Sequence, residues 1–489
     1  MAVQDNLKER AARGIMWGGL GNAAMQLAGL AFGVVLGRLL TPADYGMVAM
    51  VAIFPAVAAA LQNSGFSSAI ANMPAPSDRD YNSVFWFNIT AAAALYIILW
   101  VAAPHIASYY GEGRICALCR YACLSVPLSA LGTAQSAYLF KNLRAKQQAK
   151  ASVAAVLVSS AAGVSLAYMG MAYWSLATQG LVYVGVNSAL QWRYSPWRPS
   201  LRIDFRPVAG MFRFSSMMLA TTIATQVNNN VLNILLGRYF TPAAAGNYNQ
   251  AYQWNFKGYS LVQNMLAQVA QPVLASLNAD PGRQLAALRK LVRFTAFVSF
   301  PLLLFFGAAA HEFIVIALTE KWEASAGLLS VMCLCGAVAP VSAVLANAVV
   351  SRGKSATYFL CTAALGLCTI GAMAAIWPMG MEAMVWAYAG LNVAWLPVWH
   401  FFVRRLTGYR LAHLAADVLP FAAAAALSAA AGVIAARAAD SLWLRLAAKC
   451  AVPAVCYYAF LRLSHARILE ESMRFVGGKL PFAKRPRPF

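Results

Sequence analysis

The sequence has 489 residues, of which 61% are hydrophobic and only 11% charged, with a formal net charge of +22. This composition lies outside that of water-soluble domains and inside that of membrane proteins. The 38 Lys and Arg residues sit in short clusters between apolar runs rather than on one continuous basic face, which argues against nucleic-acid binding and for membrane topology.

The first apolar run, near 15–36, follows Lys8, Glu9, Arg10 and Arg13 as a secretory leader would. It is too long for a leader and lacks a small-x-small cleavage end, so a retained span is predicted. A helix needs about twenty apolar residues to cross the hydrocarbon. Further runs of that kind lie near 45–72, 84–107, 117–140, 151–170 and 172–192 in the first half. In the second half they lie near 208–236, 246–277, 291–318, 326–350, 356–377, 383–403, 418–436 and 442–463. The expected fold is therefore an all-α polytopic membrane protein of about 14 transmembrane helices.

Cytoplasmic loops retain Lys and Arg during insertion. With both termini inside, the inner segments hold Lys141, Arg144, Lys146 and Lys150, then Arg193 to Arg206, then Arg283, Arg289, Lys290 and Arg293, and later Arg404, Arg405 and Arg410. The tail adds Arg462, Arg467, Arg474, Lys479, Lys484, Arg485 and Arg487, whereas the outer loops offer little beyond Arg38, Arg114, Arg238, Lys321 and Arg437. A multi-pass protein of a bacterial cytoplasmic (inner) membrane is expected, with both termini cytoplasmic.

The chain also repeats itself. Leu36-Gly-Arg-Leu-Leu-Thr-Pro-Ala-Asp-Tyr-Gly46 returns 200 positions later as Leu236-Gly-Arg-Tyr-Phe-Thr-Pro-Ala-Ala-Ala-Gly246, and Arg13 with Arg213, Gln26 with Gln226, and Leu61 with Leu261 keep that offset. An even number of spans separates the copies, so both halves insert the same way and are expected to be related by a pseudo-twofold axis along the membrane normal. The expected organisation is an N-terminal six-helix lobe over 1–194, a cytoplasmic linker over 195–207, and a C-terminal six-helix lobe over 208–404. Two additional transmembrane helices over 405–463 and a basic cytoplasmic tail over 464–489 complete it. The loops are short and leave no room for an extramembrane catalytic domain, which points to transport by alternating access.

The eighth span carries Gln250, Gln253, Lys257, Ser260, Asn264, Gln268 and Gln271 at helical spacing, hence on one face. Polar residues in a span face protein or a water-filled cavity, and an embedded Lys is a functional-site hypothesis by default. The seventh span adds Gln226, Asn229, Asn230 and Asn233. A lipid pyrophosphate needs cations and a sugar needs amides, hydroxyls and aromatic faces; Lys257, these amides, Tyr252 and Trp254 supply both. Interhelical hydrogen bonding, with Lys257 reaching toward an interface, is the alternative. In the first span Gly29, Gly33 and Gly37 replace much of the polar face and are expected to allow close helix approach. Arg38 and Arg238 either bind the last carbonyls of their helices or capture phosphate.

Cys116, Cys119 and Cys123 have metal-like spacing, but they open an apolar helix and are read as packing. Carboxylates are scarce within the spans, with only Glu312 and Glu382 approaching one, each near its outer end. His311 and Glu312 are adjacent and point about a quarter turn apart on a helix, so they form no tight site alone. No paired-carboxylate, Ser-His-Asp, Walker or zinc motif is present. Neither an enzyme nor a cofactor is expected.

The segments Leu36 to Gly46, Ser64-Gly-Phe-Ser-Ser-Ala-Ile70, Asp80-Tyr-Asn-Ser-Val-Phe-Trp-Phe-Asn88 and Ala103-Pro-His-Ile-Ala-Ser-Tyr-Tyr110 together resemble the polysaccharide-unit flippases of the multidrug/oligosaccharidyl-lipid/polysaccharide exporter superfamily. The similarity is to the branch serving capsule, colanic-acid-like and teichuronic-acid-like polymers, and Gly170 to Gln179 and Glu320-Lys-Trp322 extend it over most of the first twelve spans. The resemblance implies a V-shaped cationic cavity and, as cargo, an undecaprenyl-pyrophosphate-linked oligosaccharide flipped from the inner to the outer leaflet. A polysaccharide polymerase and assembly proteins are then expected partners, besides membrane lipids. The competing readings are a multidrug or cation antiporter of the same superfamily, for which an intramembrane carboxylate in the first lobe is expected; a peptidoglycan lipid-precursor flippase; and a membrane glycosyltransferase, which needs outer-face acids or a sizeable outer loop.

Overall fold

A computed structural model describes residues 2–62, 70, 73, 76–201, 204–464, 466 and 468–470. The end of the expected second span with the Ser64-Gly-Phe-Ser-Ser-Ala stretch, two residues of the expected linker, and nearly all of the basic tail lie outside the described residues. Every regular element among the described residues is helical. In chain order the α-helices are α1 (Ala2–Leu39), α2 (Pro42–Val51), α3 (Ile53–Gln62), α4 (Asp78–Tyr110), α5 (Arg114–Ala122), α6 (Ser125–Lys141), α7 (Ala145–Tyr168), α8 (Tyr173–Tyr194) and α9 (Arg206–Tyr239). There follow α10 (Pro242–Ser276), α11 (Pro281–Ala308), α12 (Ala310–Leu318), α13 (Glu323–Ser351), α14 (Ser355–Ile376), α15 (Met381–Ala394), α16 (Leu396–Thr407), α17 (Leu411–Ala436) and α18 (Leu442–Leu463).

Ten helical segments among the described residues are long and apolar enough to cross a bilayer. The other expected spans coincide with α8, α9, α10 and the α15–α16 pair, whose amides, cations or a break within the run lower their apolarity. Spanning segments must satisfy their backbone groups internally, and continuous helices do so.

Packing divides the chain into two compact units. The first holds residues 1–249 and 362–377; α1 lies on α7, α7 on α8, and α6 on both α8 and α4, while α9 packs on α2, α3 and α4. Its cores are built around Val84, Phe85, Ala134 and Ala137, and around Ala58, Ala92, Val126 and Ala130. Residues 195–201 and Asp204 are fastened to the start of α4: Trp197 packs its ring against Tyr81 and Phe85, the Ser200 amide donates to Asn82 Oδ1 at 2.8 Å, and Arg79 Nε donates to Asp204 at 2.8 Å.

Both copies of the repeat meet inside this unit. Each begins a helix in the same way, with Thr41 or Thr241 as N-cap and Pro42 or Pro242 at the first position, where the missing N–H is no loss. Asp44 closes a capping box with Thr41; its counterpart Ala244 does not, and donates only its backbone N–H to Thr241 Oγ1 at 3.2 Å. One turn further, Gly46 and Gly246 lie backbone to backbone: a Cβ on either glycine would collide with the carbonyl of the proline opening the other helix and stand 2.9 Å from the other glycine's nitrogen. The reciprocity is that of a local twofold contact. Gly237 likewise lies against the Met50 side chain. The close approach expected at Gly29 is not made there, since a Cβ on Gly29 would meet nothing within 4 Å; Gly21, nearer the start of α1, lies instead against Ala149 of α7.

In the second unit, residues 250–361 and 378–489, α13 is the most buried helix and lies against α11, α12, α15 and α16. The last two helices, α17 and α18, pack on each other and on α11. Asp417, 1% exposed, accepts from Arg289 Nε at 2.8 Å, Arg293 Nε at 2.5 Å and the Tyr409 hydroxyl at 3.0 Å. Glu312, 4% exposed, accepts from Lys449 Nζ at 2.6 and 2.8 Å. Asp417, nearly two turns into α17, is the acid that the scarcity of intramembrane carboxylates did not anticipate.

Two outcomes follow from this packing. Gly46→Ala and Gly246→Ala each force backbone apart and are expected to lower stability by about 1–3 kcal/mol, whereas Gly29→Ala leaves it unchanged; thermal unfolding of purified protein in detergent reads the difference. Asp417→Asn leaves two guanidinium groups without their counter-charge, and a loss of up to about 3 kcal/mol is expected in the same assay, a full buried-pair value being discounted because both arginines are partly exposed.

Candidate functional site: a lysine on a polar helix face

Helix α10 is 35 residues long and carries its amides on the face that also bears Lys257. Gln253 and Asn264 are exposed on that face, Lys257 is half-buried, and Gln250 and Ser260 are buried, the Ser260 hydroxyl donating to the Lys257 carbonyl at 3.2 Å. The Gln268 side chain lies outside what is described. Polar side chains left accessible in a spanning helix require water or a polar ligand opposite them.

Lys257 Nζ stands 4.4 Å from the centre of the Trp254 ring, a cation–π contact. Trp254 is itself 6% exposed and held edge-on by Phe313 at 4.8 Å, so the aromatic platform is fixed by packing. Among the described residues no carboxylate forms an ion pair with Lys257. This distinguishes it from Lys449, whose charge is absorbed by Glu312. An ammonium partly withdrawn from water and balanced only by a ring quadrupole attracts an anion.

Tyr252 lies on the side of α10 away from Trp254: residues 252 and 259 share that face, where the Tyr252 and Tyr259 side chains are hydrogen-bonded and Tyr252 stacks on Phe256. Asn255, on that buried side and 2% exposed, presses against Gly336, and its Oδ1 has no protein partner among the described residues.

On α9, Gln226, Asn229 and Asn230 are half-buried and Asn233 is 3% exposed. Asn230 Nδ2 donates to the Gln226 carbonyl at 2.8 Å, spending one donor on its own helix, while Asn233 Oδ1 has no protein partner among the described residues. Asn228, between them and not anticipated, donates to the Thr362 carbonyl at 2.9 Å and lies against Gly366, joining α9 to α14. This α9 set belongs to the first packing unit and Lys257 with its neighbours to the second.

Of the two arginines that end the repeated helices, Arg38 is exposed. Arg238 donates to the Tyr109 carbonyl at the end of α4, with its guanidinium 5.1 Å from the Tyr109 ring centre. Arg238 therefore caps a neighbouring helix rather than its own. His311 and Glu312 diverge as expected: His311 Nε2 lies 3.3 Å from Glu323, and Glu312 turns inward to Lys449. Cys119 and Cys123 are buried in packing with their sulfurs 4.0 Å apart.

Relatives include the teichuronic acid biosynthesis protein TuaB of Bacillus subtilis (strain 168), 21% identical over 78% of this chain and 79% of that protein. The lipopolysaccharide biosynthesis protein WzxC of Escherichia coli (strain K12) is 21% identical over 71% of each chain, and the succinoglycan biosynthesis transport protein ExoT of Rhizobium meliloti (strain 1021) 23% identical over 72% of each. Among solved structures, the lipid II flippase MurJ in an inward closed conformation superposes with a TM-score of 0.70 over 93% of this chain and all of that chain, at 12% identity. An inward-facing multidrug-resistance transporter of the MATE family gives 0.60 over 78% of this chain and 95% of that chain, at 15% identity. The fold is thus that of polytopic transporters, and with residues 35–327 matching its family pattern the chain belongs to the polysaccharide biosynthesis protein family.

Proposed function

We propose that this protein moves a lipid-linked oligosaccharide across the membrane for polysaccharide assembly. The cargo in this reading is an undecaprenyl-pyrophosphate-linked repeat unit, carried by alternating access from the cytoplasmic to the outer leaflet of the inner membrane, with both termini on the cytoplasmic side. Family membership and the transport and biosynthesis roles named for WzxC, ExoT and TuaB support it. The observation that carries it is Lys257, a cation with no carboxylate partner among the described residues, mounted on a fixed tryptophan along a helix face of accessible amides.

Each group then has a chemical task. Lys257 offsets part of the pyrophosphate's charge, for which desolvation is otherwise prohibitive. Gln253 and Asn264 on α10 exchange hydrogen bonds with sugar hydroxyls, and Gln226, Asn229, Asn230 and Asn233 on α9 offer the same chemistry within the first unit. Trp254 is the platform that holds the ammonium in place. No covalent step is assigned, and the protein acts as a transporter, not an enzyme. A doubly anionic lipid leaving a negative interior gains about 2.3 kcal/mol per charge per 100 mV, so the membrane potential itself favours export. The polymerase and assembly proteins that consume the flipped unit are the expected partners.

A deletion strain is expected to accumulate lipid-linked oligosaccharide on the inner leaflet, and wild-type protein to relieve it. Lys257→Gln is expected to restore flux at least about tenfold less well, the equivalent of one charge-assisted hydrogen bond, and Lys257→Arg to restore most of it. Absence of accumulation in the deletion strain would overturn the transport reading, whereas accumulation relieved equally by Lys257→Gln would overturn only the site.

A further inference from the structure

Within the first unit, α3, α4 and the end of α9 enclose a groove of about 560 Å³. Ile53, Val57, Ile98, Ala102 and Ile234 line it, and it runs toward His105 and Tyr109 near the end of α4. The Tyr110 hydroxyl in its wall is already bound to the Met50 carbonyl at 3.0 Å, so the interior is almost purely apolar. Beside it Ile97, Trp100 and Val101 are exposed, which marks this flank of α4 as facing hydrocarbon. What reaches the groove comes from the bilayer.

Its mouth is cationic. Arg238 is exposed at this end, held by one N–H on the Tyr109 carbonyl and by the Tyr109 ring beneath it. A guanidinium presents five N–H donors in a fixed fork, so a single bond to a carbonyl leaves others free to meet a planar or tetrahedral oxyanion. Next to it Tyr239 stacks on Trp377 at 4.6 Å, an aromatic pair of the kind that sits at headgroup depth. An apolar slot that ends at an exposed arginine within an aromatic belt matches one molecule in charge and shape: a lipid with a hydrocarbon chain and an anionic phosphate head.

We propose that this groove binds an anionic glycerophospholipid of the surrounding bilayer, one acyl chain between α3, α4 and α9 and the phosphate on Arg238. The leaflet is the outer one on the orientation proposed above; the binding itself does not depend on that orientation or on the cargo. The bound lipid adds to the packing that α9 already makes on α3 and α4 and supplies contact atoms to the groove walls between them.

The test uses the delipidated full-length chain in detergent, with dioleoyl phosphatidylglycerol or dioleoyl phosphatidylcholine added and retention read by native mass spectrometry. Wild type is expected to retain phosphatidylglycerol in preference to phosphatidylcholine, and Arg238→Gln to lose about tenfold in apparent affinity for it, with Arg238→Lys intermediate. Ala102→Trp, which fills the groove, is expected to abolish retention with Arg238 intact. A phosphatidylglycerol bearing a photoreactive acyl chain, added to wild type, is expected to crosslink within residues 53–58 or 95–106, a result independent of whether the tryptophan variant folds. Equal retention of phosphatidylglycerol by wild type and Arg238→Gln, or crosslinks confined to other helices, would overturn the proposal.

Discussion

The contact between Gly46 and Gly246 is the constraint on which the first unit depends. Two helices begun by the same Thr-Pro signal can touch backbone to backbone only where neither has a side chain, and each glycine faces the carbonyl that opens the other's helix. In a bilayer, where burying apolar side chains gains little over leaving them in lipid, such close approach is a main source of helix association. The same short sequence therefore supplies a helix cap, a fixed first φ and, one turn later, a crossing point. Its duplication supplies a partner with the same geometry, so the repeat is legible both as sequence and as a packed interface.

Around that contact the protein separates two uses of charge. Glu312 and Lys449 neutralise each other, Asp417 offsets one of the two charges of Arg289 and Arg293, and these pairs fasten α17 and α18 to α11 and α12. Lys257 is left without a carboxylate among the described residues. Both kinds of site carry an energetic cost in the membrane, but the arginines of the first have a carboxylate within hydrogen-bond reach, whereas Lys257 has a ring face, which leaves it the stronger demand for an anion. The proposed cargo and the physical state of Lys257 are thus two statements of one imbalance.

The spans were legible because crossing a bilayer demands length and apolarity, and that demand is local in sequence. The repeat was legible because its capping residues and glycines stand at fixed spacing. The side of a helix that an individual residue occupies was also readable, which is why Lys257, Gln253 and Asn264 fall on one face of α10. Tyr252 and Trp254, both counted among the aromatic groups of this helix, stand two residues apart and so lie on opposite sides of it. Asp417, Asn228 and Asn255 escaped notice because their importance lies in partners or voids far away in sequence: arginines on α11, a carbonyl at Thr362, a glycine at position 336. Gly29 shows the converse, a spacing suited to close approach that its neighbours do not use.

The ion pairs on α17 and α18 have a consequence for how the chain is made. An isolated acid or cation in a spanning helix costs about 2.5–3.5 kcal/mol on translocon-based scales, and α17 and α18 carry Asp417 and Lys449. Their partners lie on α11 and α12, which precede them in the chain. A charge that α17 or α18 brings into the membrane thus finds its counter-charge on a helix synthesised before it, and the two ion pairs act as a clasp within the second unit.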